Sequence, residues 1–195
     1  MEAKKKIKIL ARRVVSDFWG TLQHINFDFT FKNGRTANLT HEVYGKSDGV
    51  ALLLFNKDAK TVLLTRQFRM PMYVAGINDG FSYEVCGGSI DDGETPEESV
   101  IREAKEEIGY DVLNLQKVTT LFLSPGLVRE QVYLYVGQFN NNCRVGLGGG
   151  VDDENEEVDV LEVTVDKALK MIDNNTIVDA RTILLLQHIR LEFNC

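Results

Sequence analysis

The sequence contains few of the residues that mark several common protein classes. Its 195 residues include only three cysteines and three histidines. The odd number of cysteines, without metal-type spacing, argues against a disulfide framework, and the histidines form no ligand cluster along the chain. No apolar run has the length of a signal peptide or of a membrane span. We therefore expect a cytoplasmic protein that does not associate with membranes.

Positive charge is also scarce, since the chain has a formal net charge of -7 at pH 7. Nucleic-acid binders hold phosphate backbones with basic surface, so we expect no nucleic-acid partner. The basic stretch 1–18 is the exception. It is open to two interpretations, a nucleic-acid-binding arm or a solvated edge strand, and the alternating apolar residues Ile7 and Ile9 favour the strand.

Hydrophobic residues make up 44% of the chain, which is enough for a sizeable core in a mixed α/β protein. Alternating residues at 22–31, a turn at 32–35 and a returning strand at 37–44 predict an N-terminal hairpin. Further strands are predicted at 49–55, 61–68, 81–86, 112–123, 131–139 and 157–165, and helices at 95–108, 165–173 and 179–192. Because the strand-rich segment 1–45 is too small to bury a core alone, we expect it to pack on segment 46–195 or on a second subunit.

The best-specified helix is the one predicted at 95–108. Thr95 is a suitable N-cap, Pro96 fits the first helical position, and Glu98 completes a capping box. Gly109 supplies the C-terminal stop. One side of the helix is apolar at helical spacing and should face the core; its members are Val100, Ile101, Ala104 and Ile108.

Three carboxylates, Glu103, Glu106 and Glu107, lie on the last turns of this helix. Like charges four residues apart destabilise a helix by roughly a few tenths of a kcal/mol, and the helix dipole disfavours acid at this end. Taken alone, such a run is most often a solvated acidic face. Clustered carboxylates are also the oxygen ligands that Mg²⁺ requires, so the flanking residues decide between the two interpretations.

The flanking residues match a family motif. The segment from Gly88 to Tyr110 resembles the Nudix box, G-x5-E-x7-R-E-U-x-E-E-x-G-U, where U is a bulky or aliphatic residue. Ala104 and Tyr110 occupy the U positions, and every fixed position is filled at the right spacing by Gly88, Glu94, Arg102, Glu103, Glu106, Glu107 and Gly109. The resemblance implies a Nudix fold, an α/β/α sandwich with a mixed sheet, and an enzyme that hydrolyses a diphosphate bond.

The resemblance also implies a division of roles within the box. Glu103, Glu106 and Glu107 would be catalytic metal ligands, joined by the carbonyl of Gly87. The metal would be Mg²⁺, with Mn²⁺ as a possible substitute. The Glu94–Arg102 pair would tie loop to helix and orient the ligands. The implied chemistry is attack of a metal-activated water on one phosphorus of the diphosphate.

Other segments resemble the branch that hydrolyses nucleoside diphosphate sugars, and most closely its bacterial GDP-mannose pyrophosphatases. These segments cover nearly the whole chain: Ser16-Asp17, Glu42-Val43-Tyr44, Arg66-Gln67-Phe68-Arg69, Ser124-Pro125-Gly126, 148–154 and 183–186. Arg69 would hold a substrate phosphate in a forked contact, although 66–69 could be only a polar strand end. Trp19 could equally be a core residue or stack on a base bound by the partner subunit. The full set of implied substrate contacts is Trp19, His41, Glu42, Arg69, Gly87, Gly88, Glu130, Glu154 and Arg181.

A second acidic segment follows the glycines of 146–150. By itself it could be an ordinary surface loop. Glycines ahead of an acidic cluster also suit hinges of a loop that closes over a charged substrate and delivers a carboxylate. By the resemblance, Glu154 would bind metal and act as general base, with Glu156 and Glu157 as alternatives if the register differs.

Substrate and assembly follow from the resemblance alone. It implies a homodimer built by an N-terminal antiparallel sheet, with segment 1–45 exchanged between subunits, that converts GDP-mannose to GMP and mannose 1-phosphate. Thr40 and His41 stand where this branch usually has basic residues, so ADP-ribose or another dinucleotide is the alternative substrate. A non-catalytic ligand-sensing domain is disfavoured because no box carboxylate is missing, and an RNA-decapping enzyme is disfavoured by the net charge.

Overall fold

The computed structural model describes residues 6–150 and 157–193. Contacts divide the chain into two units, one of Met1–Ser47 with Phe122–Gln131 and one of Asp48–Leu121 with Val132–Cys195. The boundary that we predicted at residue 45 stays a prediction. The structure adds the segment Phe122–Gln131 to the N-terminal strands.

The elements are named here in chain order. The strands are β1 (Ile7–Asp17), β2 (Thr21–Thr30), β3 (Thr36–Gly45), β4 (Gly49–Asn56), β5 (Thr61–Phe68), β6 (Phe81–Glu84), β7 (Leu113–Leu121), β8 (Val128–Arg129), β9 (Val132–Gln138) and β10 (Val158–Thr164). The helices are α1 (Met70–Val74), α2 (Pro96–Glu103), α3 (Val165–Asp173) and α4 (Ala180–Phe193). A π-helical turn, Ala104–Ile108, continues α2.

The first unit is a four-stranded mixed sheet in the order β1-β2-β3-β8. β1, β2 and β3 are antiparallel, as predicted, and β8 adds to β3 in parallel. The predicted hairpin turn is confirmed between β2 and β3, where Gly34 has a φ of 83° that a residue with a side chain rarely adopts. β8 was not predicted, because two residues are too few to show an alternating pattern.

The second unit is built on a six-stranded mixed sheet in the order β10-β5-β4-β9-β7, with β6 paired to β5. β4 is buried on both faces, which explains its unbroken apolar sequence. Its odd-numbered residues, such as Leu53, pack in one core cluster with α3 and α4. Its even-numbered residues, such as Leu52, pack in a second cluster with α2. Helices therefore cover both faces, and the predicted α/β/α sandwich is confirmed.

Helix α2 begins as the sequence predicts. Thr95 Oγ1 accepts a hydrogen bond from the Glu98 amide at 3.2 Å, and the Glu98 carboxylate accepts one from the Thr95 amide at 2.9 Å. This reciprocal capping box satisfies two amides that the helix leaves unpaired. The end is also at the predicted place, because Gly109 has a left-handed φ of 74°. The last turn is π-helical rather than α-helical, with the Gly109 amide donating to the carbonyl of Ala104, five residues earlier.

Two details of the helices were not foreseen. Val100 and Ile108 are buried, but Ile101 is 38% exposed, so its predicted place in the core is wrong. One residue step turns the chain by about 100°, which carries Ile101 off the buried stripe. α1 was missed because none of its five residues is buried, so it has no apolar periodicity to detect. No helix in the described part of the chain combines the length and the apolar character that a membrane span requires.

Candidate active site

Two carboxylates of the acidic helix lie against the glycines that follow β6. Glu107 is only 2% exposed, and its Oε2 accepts a hydrogen bond from the Gly87 amide at 2.8 Å. Glu103 is 9% exposed and packs on Gly88, where a Cβ would stand 2.2 Å from its Oε1. A side chain at position 88 would therefore displace this carboxylate from its present position. The structure thus brings together four of the predicted site residues.

Arg102 links three glutamates of the same region. Its Nε and Nη2 form a fork with Glu94 at 2.9 and 3.0 Å. Its Nη1 donates to Glu103 Oε1 and to Glu106 Oε2, both at 2.9 Å. The hydrogen bond with Glu94 is the largest cause that raises the pKa of Arg102 above its usual value, and it outweighs the opposing effect of burial. Arg102 therefore ties loop to helix and also offsets part of the charge of the clustered carboxylates.

The negative charge of the carboxylates also affects the pKa of a neighbouring thiol. Burial raises the pKa of the Cys86 thiol well above its usual value, and the charges of Glu107, Glu103 and Glu106 raise it further. The three box carboxylates therefore all lie within electrostatic range of the Cys86 thiol.

A second charged network surrounds Glu84 at the end of β6. Arg69 forks onto it, with Nε 3.0 Å from Oε1 and Nη2 2.9 Å from Oε2. Arg181 Nη2 donates to the same Oε2 at 2.6 Å, while its Nε donates to Asp179 at 3.1 Å. Burial would raise the pKa of Glu84, but the hydrogen bond from Arg69 and the charges of Arg181 and Arg69 lower it to about 2. Two predicted substrate residues, Arg69 and Arg181, are thus joined through one carboxylate.

The chain that carries this site matches a family model over most of its length. The family model for the NUDIX domain matches residues 45–186. The chain belongs to the Nudix family. A second family model, for the GDP-mannose pyrophosphatase NudK N-terminal domain, matches residues 6–44.

Curated relatives of this Nudix protein include bacterial enzymes named GDP-mannose pyrophosphatase. The one from Pectobacterium atrosepticum is 41% identical over 182 residues, 93% of each chain. That from Cronobacter sakazakii is 40% identical over 185 residues, 95% of each chain. Among solved structures, a crystal structure of an ADP compounds hydrolase has a TM-score of 0.76 at 20% identity and covers 100% of this chain and 97% of its own. That likeness confirms the fold.

Nudix hydrolases generally use divalent metal ions, and the residues beside Gly87 suit such an ion. Glu103 and Glu107 offer hard oxygen ligands on neighbouring turns of one helix face. Within residues 6–150 and 157–193, no three acidic, histidine or cysteine side chains are grouped closely enough to hold a metal. The Glu106 carboxylate instead accepts a hydrogen bond from Arg102. A complete ligand set would therefore need a rotated Glu106, a backbone carbonyl such as that of Gly87, or a carboxylate outside those ranges.

The remaining predicted residues belong to the first unit or to the acidic segment. Trp19 is 77% exposed, with Lys46 Nζ 5.9 Å from the centre of its ring, so its interpretation as a core residue is wrong. Glu130 is half-buried directly after β8. Glu154 lies outside the described residues, whereas Glu157 is exposed just before β10.

His41 and Glu42 are neighbours on β3, so their side chains point to opposite faces of the sheet. His41 packs edge-on against Phe27, with ring centres 5.1 Å apart. Glu42 Oε1 lies 3.0 Å from His24 Nε2 on the other face. The structure therefore does not bring the side chains of this predicted pair together, and a ligand on one face of the sheet would meet only one of them.

Glu84 is the residue of this Nudix site that sequence reasoning missed. A usable signal was present, because Glu84 is a lone carboxylate between Tyr83 and Val85 in a predicted strand. A buried acid in a strand needs a cationic partner, and the arginines flagged at 69 and 181 were candidates for it.

Proposed function

We propose that this chain hydrolyses the diphosphate bond of a nucleoside diphosphate sugar in the cytoplasm, with GDP-mannose as the first candidate. The products would be GMP and mannose 1-phosphate. The observation that carries the proposal is the pair of buried carboxylates, Glu103 and Glu107, held against Gly87 and Gly88. The relatives named GDP-mannose pyrophosphatase, 39% to 41% identical over more than nine-tenths of the chain, support the substrate class.

The metal that we propose is Mg²⁺, with Mn²⁺ able to replace it. Glu103, Glu106, Glu107 and the carbonyl of Gly87 would hold it, and Glu154 would add a carboxylate from outside the described residues. When bound, such a cation neutralises diphosphate oxygens and lowers the pKa of the attacking water. The position of two carboxylates on one helix face supports this assignment, because Mg²⁺ binds clustered hard oxygen ligands.

Arg69 and Arg181 are proposed to bind the diphosphate. Glu84 already fixes both guanidinium groups, so little side-chain entropy would be lost when a substrate binds. The proposed general base is Glu154, with Glu156 and Glu157 as alternatives. It would take a proton from water as the new bond to phosphorus forms and the bridging P–O bond breaks.

The residues proposed to recognise the base and the sugar are Trp19, Gly88, Glu130 and, from opposite faces of β3, either His41 or Glu42. ADP-ribose or another dinucleotide is the second candidate substrate. It is favoured by two positions: Thr40 replaces a basic residue seen in GDP-mannose enzymes, and His41 stands where this branch usually has arginine.

We also propose a homodimer built by the N-terminal sheet, with segment 1–45 exchanged between subunits. On β1, Ile7 and Ile9 are 54% and 48% exposed, and they pair with Phe29 and Phe27 of β2 on the same face. A contiguous exposed apolar patch on a protein surface marks an interaction site, and a second copy of this sheet would cover it. Light scattering should give a dimer for the wild type and a monomer for Ile9→Lys. A monomeric wild type at micromolar concentration would contradict the proposal.

The direct test of the reaction is a substrate panel. The protein is incubated with Mg²⁺ and, separately, GDP-mannose, ADP-ribose, a UDP-sugar, NADH or a diadenosine polyphosphate, and the products are separated by chromatography. We expect GMP and mannose 1-phosphate to form fastest and no product to form with a chelator. ¹⁸O-water would identify the phosphorus that is attacked. Failure to cleave any diphosphate with Mg²⁺ or Mn²⁺ would refute the proposal.

A further inference from the structure

The glycine segment 146–150 packs on the end of the helix that carries the candidate metal ligands. The last carbonyls of a helix have no partner within it. Here the carbonyl of Glu107 accepts a hydrogen bond from the Gly149 amide at 2.9 Å, and that of Glu106 accepts one from the Gly150 amide at 3.3 Å. The carbonyl of Gly149 in turn accepts from Val158 at the start of β10. The segment is thus hydrogen-bonded to the end of the helix on one side and to the start of β10 on the other. It supports the helix end, whereas its glycines alone suggested a hinge.

Gly148 is the residue of this segment that lies closest to the helix backbone. Its φ is 68°, and a Cβ there would lie 2.6 Å from the carbonyl oxygen of Glu107 and 2.7 Å from the carbonyl carbon of Ile108. Both are backbone atoms, so no side-chain rotation could relieve the overlap. Gly146, two residues earlier, differs, because a Cβ there would meet nothing closer than Gly109 Cα at 3.8 Å. One glycine of the segment is therefore required by packing and another is not.

The main-chain carbonyl that Gly148 contacts and the candidate ligand carboxylate belong to the same residue, Glu107. Glu107 is almost fully buried, and its Oε2 is held by the Gly87 amide. Mg²⁺ requires ligand distances of about 2.0–2.1 Å in near-octahedral geometry, so a ligand displaced by a few tenths of an ångström is a poor one. A Cβ at position 148 would press on the Glu107 main chain, and a shift of that main chain would move the carboxylate or strain its bond to Gly87.

We propose that Gly148 is a positioning residue that holds Glu107 in place for metal binding by packing against its main-chain carbonyl. The inference rests on the proposed function, because the position of Glu107 matters in this way only if Glu107 is a ligand. A segment that is remote in sequence from the Nudix box would then help to fix the position of one box carboxylate.

The test is Mn²⁺ binding followed by electron paramagnetic resonance, at a temperature where circular dichroism shows every variant to be folded. Gly148→Ala should bind Mn²⁺ about 10–100-fold more weakly than the wild type, as other changes to the support of a metal ligand do. Gly146→Ala is the matched control in the same segment and should bind like the wild type. Ile189→Ala removes a buried side chain of α4 from the opposite core cluster. It should lower the melting temperature and leave Mn²⁺ affinity unchanged.

Gly148→Asn is measured beside Gly148→Ala, because asparagine tolerates a left-handed backbone and adds the same Cβ, so the overlap is tested with less backbone strain. The same weakening is expected. Wild-type affinity in the Gly148 variants would overturn the positioning role alone, as would equal weakening in Ile189→Ala. A wild type that hydrolyses its substrate but binds no Mn²⁺ would overturn both this inference and the proposed metal site.

Discussion

Replacing Glu84 with glutamine removes the charge that joins Arg69 to Arg181 while keeping the shape of the side chain. The pKa of Glu84 is lowered from 4.5 to about 2 in the folded protein. Each pKa unit corresponds to about 1.4 kcal/mol, so the ionised carboxylate contributes about 3 kcal/mol to the free energy of unfolding at pH 7. Screening by solvent reduces this little, because the Glu84 side chain is 5% exposed.

The pH dependence of this contribution has a definite sign. Because the pKa is lowered on folding, the stabilisation is complete above the ordinary pKa of 4.5 and is lost as the pH falls through the folded value of about 2. The difference in unfolding free energy between wild type and Glu84→Gln should therefore be about 3 kcal/mol at pH 7 and only about 1 kcal/mol at pH 3.

Urea unfolding followed by circular dichroism, at several pH values from 7 to 3, measures that difference. Glu192→Gln, an exposed position on α4, is the matched control and should change stability by less than about 0.5 kcal/mol. Equal stability of wild type and Glu84→Gln at pH 7 would refute the reasoning. So would a difference that stays constant down to pH 3, since it would then not come from the ionised carboxylate.

Three further predictions concern the box helix and the acidic segment. Gly88→Ala would place a Cβ 2.2 Å from Glu103 Oε1, and we expect Mn²⁺ affinity to fall about 10–100-fold in a titration. Thr95→Ala removes the capping box and should cost about 1 kcal/mol in chemical unfolding, with the metal affinity unchanged. Glu154→Gln should lower kcat far more than KM, whereas Glu157→Gln should not; the reverse order in steady-state kinetics would move the proposed base to Glu157.

Much of the fold follows from local patterns in the sequence. The alternation in β2 and β3, the Asn33-Gly34 turn and the unbroken apolar run of β4 each reflect a backbone period that survives in the structure. The start of α2 was predictable to the residue because capping depends only on Thr95 and its near neighbours. Elements without a buried stripe or sufficient length, such as α1 and β8, left no such pattern.

The site was predictable in its composition and not in its pairings. The spacing of the box identified Glu103 and Glu107. The pairing of Arg69 with Glu84 was not predictable, because it depends on strands that meet only in the folded chain. The same holds for Gly148, whose role comes from packing on a turn far away in sequence. Strand alternation alone could have shown that His41 and Glu42 face opposite sides of β3, since their adjacency fixes that result.

The most direct test of the central claim is the turnover of Glu107→Gln with Mg²⁺ and GDP-mannose. Glutamine is nearly isosteric and still accepts a hydrogen bond from Gly87, but it removes the negative charge that a metal ligand needs. We expect kcat to fall about 100-fold or more while the unfolding curve keeps its shape. Glu97→Gln on the same helix, whose carboxylate accepts a bond from Tyr135, should turn over normally. Near-normal turnover of Glu107→Gln would contradict the assignment of this carboxylate to a catalytic metal.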